Sequence, residues 1–209
     1  MVSAPEPIVV LASGAGSLLD ALLRASDDPC YGATVAAVVT DRADTGAQRL
    51  AETRGIPTHV LRLVDHETRE SWDERLTAIV AAYEPTLVIS AGFLKLVGAG
   101  FLHRFDGRYV NSHNALLPSF PGIHGPADAL AYGVKVTGAT LFVVDAGVDT
   151  GVIVAQTVVP VDDGDTVATL TERIKAAERP QLVEHVGRMV REGYSIAGRK
   201  CIIGPAGSV

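Results

Sequence analysis

Three short apolar runs, over residues 7–12, 35–40 and 86–90, are continuous rather than alternating. A strand with one face in water alternates apolar and polar side chains, so a run without alternation belongs to a strand covered on both faces, as in the middle of a parallel sheet. Parallel neighbours need long crossovers, usually helices. Helical patterns do lie between the runs. Leu18, Leu19, Ala21, Leu22 and Leu23 follow the first, residues 44–54 form a helix stopped by Gly55 after the second, and 58–61 is a short further strand. Trp72, Leu76, Ile79, Val80 and Tyr83 lay one apolar face on a helix over 66–83, which Glu84-Pro85 ends.

The second half continues with strands over 136–144 and 152–159, a short helix over 126–132 and a long helix capped by Asp163-Gly164-Asp165. Val167, Leu170, Ile174 and Ala177 give that helix its buried face, and Pro180 is expected to kink it or split it in two. Residues 194–203 read as a strand or tail added to the sheet edge. With 47% hydrophobic but only 5% aromatic residues and 21 Gly, the composition is that of a soluble α/β protein, and 209 residues suit one compact domain.

Several classes of function are disfavoured. No run reaches the ~18 apolar residues of a membrane span and no signal segment opens the chain, so the expected address is cytoplasmic and no membrane partner is expected. A net charge of −6 speaks against nucleic acid as a partner. Cys30 and Cys201 are read as reduced and structural. His124 and His113 lack neighbouring carboxylates or cysteines at ligand spacing, so no metal is expected.

Chemistry concentrates in residues 109–122, where an apolar strand opens into a loop punctuated by Pro118, Pro121 and Gly122. Asn111 and His113 alternate onto one face at the strand's carboxyl end. An amide that donates without changing charge, beside an imidazole that titrates near neutrality, can hold and protonate an oxygen turning negative. Asp149, in the turn that also holds Asp145, is the carboxylate that could keep His113 protonated, although an Asx-turn is the ordinary role of either aspartate.

A second feature is the turn Ser13-Gly14-Ala15-Gly16-Ser17, which sets Gly16 and Ser17 at a helix N-terminus suited to a phosphate. Asp41 at the end of the next run would fit a dinucleotide site, but Leu19 stands where that motif needs its third glycine, so a monophosphate cradle is the favoured reading. From periodicity, Leu94, Leu96 and Val97 read as core, the alternative being the wall of a pocket for a flat ring. Lys175 and Glu178, three apart on the long helix, read as a surface ion pair.

Asn111-x-His113, Leu116-Leu117-Pro118, Phe120-Pro121-Gly122 and the Asp149-Thr150-Gly151 turn, with the Ser13–Ser17 opening and Ala91-Gly92-Phe93, resemble the folate-dependent formyltransferase family over nearly the whole chain. The resemblance implies a doubly wound, mostly parallel twisted sheet of Rossmann-like kind with an antiparallel C-terminal extension. It implies one domain over 1–209, with a phosphate-binding half (1–110) and a catalytic, folate-binding half (111–209). It further implies formyl transfer from 10-formyltetrahydrofolate, as cosubstrate, to the amine of glycinamide ribonucleotide in purine biosynthesis, without metal or NAD and with room for a homodimer. Asn111, His113 and Asp149 would be catalytic. Gly16, Ser17, Leu18, Lys175, Ala176, Ala177 and Glu178 would hold the ribonucleotide. Arg69, Leu94, Lys95, Leu96, Val97, Asn111, Asp145, Ala146, Gly147, Val148 and Asp149 would shape the folate pocket. Leu18, Asn114-Ala115 and Ala146-Gly147 depart from the usual family residues. Four alternatives stay open: a formyltetrahydrofolate hydrolase, a methionyl-tRNA formyltransferase, a nicotinamide-dependent oxidoreductase and a non-catalytic nucleotide-binding module.

Overall fold

The computed structural model describes residues 4–205. Seven strands form a mostly parallel sheet in the order β3-β2-β1-β4-β5-β6-β7, with helices on both faces. The chain divides into two compact units, Met1–Val110 and Asn111–Val209.

In the first unit, β1 (Glu6–Ala12) pairs in parallel with β2 (Ala33–Thr40) on one side and β4 (Leu87–Ser90) on the other, and β3 (Thr58–Val60) flanks β2. The expected central strand is therefore β1, whose residues from Ile8 to Ala12 are fully buried. Helices α1 (Ser17–Ser26), α2 (Gly46–Thr53), α3 (Arg69–Ala81) and α4 (Ala99–Arg104) supply the connections.

Two boundaries differ from expectation for local reasons. α3 starts at Arg69 rather than near His66 because Thr68 and Ser71 form a reciprocal capping box, while Leu63–Asp65 make a separate 3-10 turn. Six-residue α4 has too weak a pattern to read in advance. Its entry is held from α3 by the buried Asp73 carboxylate, which accepts from the N–H groups of Gly98 and Phe101. Trp72, fully buried on α3, donates from Nε1 to the Leu61 carbonyl at 3.0 Å and stacks on Phe93.

β5 (Tyr109–His113) carries the chain into the second unit, where β6 (Val136–Val143) and β7 (Val152–Pro160) pair antiparallel with a register shift between Leu141 and Phe142. α5 (Gly125–Tyr132) and α6 (Val167–Glu192) are its helices. Ala139, Val159, Leu170 and Ile174 form a buried cluster against which Leu130, Val161 and Ala177 pack. Residues 194–203 are not an added edge strand: β8 (Tyr194–Ala197) and β9 (Lys200–Ile203) form their own antiparallel hairpin.

The cap of α6 corrects the sequence reading, and of the two effects expected of Pro180 a split of the helix does not occur. Thr166, not Asp165, is the N-cap, in a box with Thr169, and Asp165 is held by Arg173. The 26-residue helix runs unbroken through Pro180. Pro180 and Ala176, whose carbonyl loses its helical donor, are both exposed, so water can satisfy that carbonyl. Ile174 before the proline and Leu182, Val186 and Met189 after it are all buried, so both halves of the helix are packed. Among the described residues no helix is long and apolar enough to cross a membrane.

Pro180 therefore costs stability without being buried. Pro180→Ala restores an N–H donor and removes the ring's clash, partly offset by a freer unfolded chain. It should raise stability by about 2 kcal/mol in thermal unfolding; a lower melting temperature would mean that α6 depends on the proline's geometry.

Candidate active site

The glycine turn of the first unit begins at Ser13, buried just past β1. Its N–H donates to the Gly92 carbonyl at 3.2 Å and its hydroxyl accepts from the Leu94 N–H at 3.0 Å. The segment after β4 is thus tied to the start of the turn after β1. Gly16 has φ 86°, and a Cβ there would lie 2.8 Å from the Ala47 Cα. Close packing on α2, whose Ala47 N–H donates to the Gly14 carbonyl at 3.1 Å, already demands glycine. Substitution at Gly16 consequently disturbs packing before it reports on any ligand.

No side chain caps α1. Its first-turn N–H groups, at Ser17, Leu18 and Leu19, lie at the positive end of the helix dipole and suit an anion. Leu18 buries its side chain, so its contribution to a ligand is its backbone. Leu19 is fully buried in the place where a dinucleotide fingerprint has glycine. The Asp41 side chain, 2% exposed, lies 3.6 Å from Lys95 Nζ and 3.4 Å from Arg42 Nε. A carboxylate so enclosed and paired is not free to receive a ribose, and the nicotinamide reading loses its acidic residue.

The loop after β4 corrects the expectation of core. Leu94 and Leu96 are 58% and 66% exposed, and Val97 is half-buried. Arg69 donates to the Leu96 carbonyl while its guanidinium lies 4.7 Å from the Trp72 ring centre. Arg69, Leu94, Lys95, Leu96 and Val97 are therefore gathered in one unit, with apolar side chains outward on a loop pinned from behind.

In the second unit β5 ends in Asn111-Ser112-His113, with Asn111 half-buried and His113 only 6% exposed. His113 Nε2 lies 2.9 Å from the Phe120 carbonyl, and Nδ1 lies 3.7 Å from Asp149 Oδ2. A carbonyl only accepts, so Nε2 carries a proton; Nδ1 faces a carboxylate. The ring therefore has an acceptor on each side, one hydrogen-bonded and one at ion-pair distance. Asp149 Oδ2 also accepts from the Gly122 N–H at 2.7 Å, which fastens the loop after His113 to the turn after β6.

Asp145 is the aspartate that serves its own turn. Its Oδ1 accepts from the Gly147 N–H at 3.1 Å and the Thr150 hydroxyl at 2.6 Å. A Cβ on Gly147 would lie 2.0 Å from Thr150 Oγ1, so a side chain there would displace the hydroxyl that Asp145 holds. Ala146, Gly147 and Val148 are exposed along its rim. The loop over 114–122 rests on two residues that the sequence did not single out. Thr140 Oγ1 donates to the Ala115 carbonyl and accepts from the Leu117 N–H, and Gln156 donates to the Leu117 carbonyl.

The Lys175–Glu178 surface pair is not formed. Lys175 pairs with Glu172 at 2.9 Å, whereas Glu178 is 5% exposed and accepts from the Ser112 hydroxyl at 2.5 Å. Burial pushes the Glu178 carboxyl above its ordinary value; the Ser112 bond and the charges of His113, Lys175 and Arg179 pull the other way. Ser112 alternates out of the Asn111 and His113 pattern, and that spacing was the available signal for it. Ala176 is exposed and Ala177 packs on the core. Among the described residues no group of three or more His, Cys, Asp or Glu could hold a metal ion.

A family model described as formyl transferase matches residues 6–186. A phosphoribosylglycinamide formyltransferase of Mycobacterium tuberculosis is 54% identical over 202 residues, covering 97% of this chain and 93% of the relative. The solved structure of glycinamide ribonucleotide transformylase 1 from Symbiobacterium toebii superposes with a TM-score of 0.93 at 36% identity, over 96% of this chain and 95% of that one. A formyltetrahydrofolate deformylase from Pseudomonas syringae shares the fold, with a TM-score of 0.90 at 20% identity, over 98% of this chain and 67% of that one.

Glu178 makes stability pH-dependent in a defined direction. A carboxyl whose folded-state value is raised favours the fold fully below its unfolded value near 4.5, and that contribution is lost as pH rises through the folded value. Glu178→Gln keeps an acceptor for Ser112 without the charge. It should unfold at a higher temperature than the wild type at about pH 7, with the gap closing toward about pH 4. A less stable variant near neutrality would show that the ionised carboxylate is net stabilising.

Proposed function

The chain belongs to the formyl transferase family, and from that premise we propose that it transfers the formyl group of 10-formyltetrahydrofolate to the primary amine of glycinamide ribonucleotide in purine biosynthesis. The products are formylglycinamide ribonucleotide and tetrahydrofolate. The observation that carries the reading is His113 held between the Phe120 carbonyl and Asp149, in a chain 54% identical to a relative named for this reaction. A small-molecule enzyme acting in the cytoplasm suits this reading.

The neutral amine attacks the formyl carbon, and its carbonyl oxygen becomes an oxyanion. Collapse breaks the bond from carbon to N10; the amine gives up one proton and N10 gains one. Asn111 and protonated His113 donate to the oxyanion. The Nε2 proton that faces the Phe120 carbonyl is the one an oxyanion claims, because a charged acceptor outcompetes a peptide carbonyl. Asp149 supplies the countercharge that suits the imidazolium and orients the ring.

For the ribonucleotide, first-turn N–H groups at Ser17 and Leu18, beyond Gly16, receive the phosphate. Lys175 adds charge, since its exposed pair with Glu172 is weakened by solvent and readily exchanged. Glu178 accepts from the ribose hydroxyls, with Ala176 and Ala177 keeping the adjoining surface of α6 small. For the folate, Arg69, Leu94, Lys95, Leu96 and Val97 present apolar side chains and backbone groups to a flat ring system. Asn111 and the turn of Asp145, Ala146, Gly147, Val148 and Asp149 offer further polar groups.

Folate absorbance followed with and without ribonucleotide tests the overall reading. Deformylation at the same rate without the amine would make the protein a hydrolase instead. Asp149→Asn tests the site: an asparagine oxygen can still accept from Gly122, so the fold should keep its melting temperature, while loss of the charge should lower turnover about a hundredfold or more. Turnover near that of the wild type would return Asp149 to a role in holding the loop.

A further inference from the structure

Asp149 sits in the left-handed backbone region, φ 54°, which aspartate tolerates better than most side chains but does not prefer. Neighbours hold the turn on both sides of it. Asp145 holds the front of the turn through Gly147 and the Thr150 hydroxyl. The back is held from far along the sequence. Arg199, at the tip between β8 and β9, donates from Nη1 to the Thr150 carbonyl at 2.7 Å and from Nη2 to the Gly151 carbonyl at 3.2 Å.

Those carbonyls belong to the two residues directly after Asp149. The planar fork of a guanidinium meets two carbonyls at once, a geometry that an ammonium does not reproduce. Gly151 is itself wedged against β6, where a Cβ would overlap the Val143 carbonyl, so this end of the turn has little slack. We propose that Arg199 is a positioning residue for Asp149, and that the C-terminal hairpin belongs to the catalytic apparatus by fixing the peptides that follow that carboxylate. The inference rests on the catalytic reading of Asp149 given above. Small displacements matter here, because one oxygen, Asp149 Oδ2, both accepts from Gly122 and faces His113.

The test is a double-mutant cycle on the full chain with Arg199→Ala, Arg199→Lys, Asp149→Asn and the double variant Arg199→Ala/Asp149→Asn, together with amide hydrogen exchange over residues 145–151. Arg199→Ala should exchange faster in that segment and lower kcat by about ten- to a hundredfold, with KM for the ribonucleotide and the melting temperature little changed. Arg199→Lys should recover part of the loss. The double variant should be no slower than Asp149→Asn alone, since a residue acting through Asp149 has nothing left to position.

Losses that multiply in the double variant would overturn the proposal, as would kcat within twofold of the wild type in Arg199→Ala, or a fall in kcat matched by a fall in melting temperature with exchange unchanged. Asp149→Asn as fast as the wild type would sink the catalytic reading itself, and the single variant shows that without reference to Arg199.

Discussion

One carboxylate oxygen, Asp149 Oδ2, receives the Gly122 N–H and faces the His113 ring. Everything around it is arranged to keep it there. The histidine comes from the end of a strand, the glycine from the loop that follows, and the aspartate from a turn between two antiparallel strands. The loop and the turn are irregular and would wander by themselves. Thr140 and Gln156 on β6 and β7 hold the loop by its backbone, and Asp145 holds the turn. Rigid strands thus lend their precision to segments that have none, which is how a site built from loops can position a charge.

Much of this was legible in the sequence because the signals were local. Continuous apolar runs gave the buried strands, the glycine turn gave the start of α1, and alternation on β5 singled out Asn111 and His113. What could not be read depended on contacts between distant residues. Glu178 has an ordinary helix-surface spacing, and only the position of Ser112 reveals it as a buried carboxylate. Pro180 looked like a helix breaker because sequence does not say which side of a helix faces water. Leu94 and Leu96 looked like core because hydrophobicity does not distinguish a packed residue from one presented on a loop. The short helix α4 escaped notice because its stabilising cap lies on α3.

Glu178 illustrates a tension between folding and function. A buried carboxyl opposes its own ionisation, and the Ser112 hydroxyl is the first of several groups that ease it. Such a group lowers the stability of the fold near neutral pH, and a role in accepting ribose hydroxyls, as proposed above, would give that cost a use. Its place on α6, between buried Ile174 and Leu182, puts it on a packed stretch of that helix.

Ser13 ties the turn after β1 to the loop after β4 through two hydrogen bonds, one given and one received. If the phosphate settles at the first of these segments and the folate at the second, ordering either one lowers the entropy that the other has still to lose. Affinity would then be synergistic and reciprocal: each ligand tightens the other by the same factor, and constants measured for either alone understate how firmly the pair is held together.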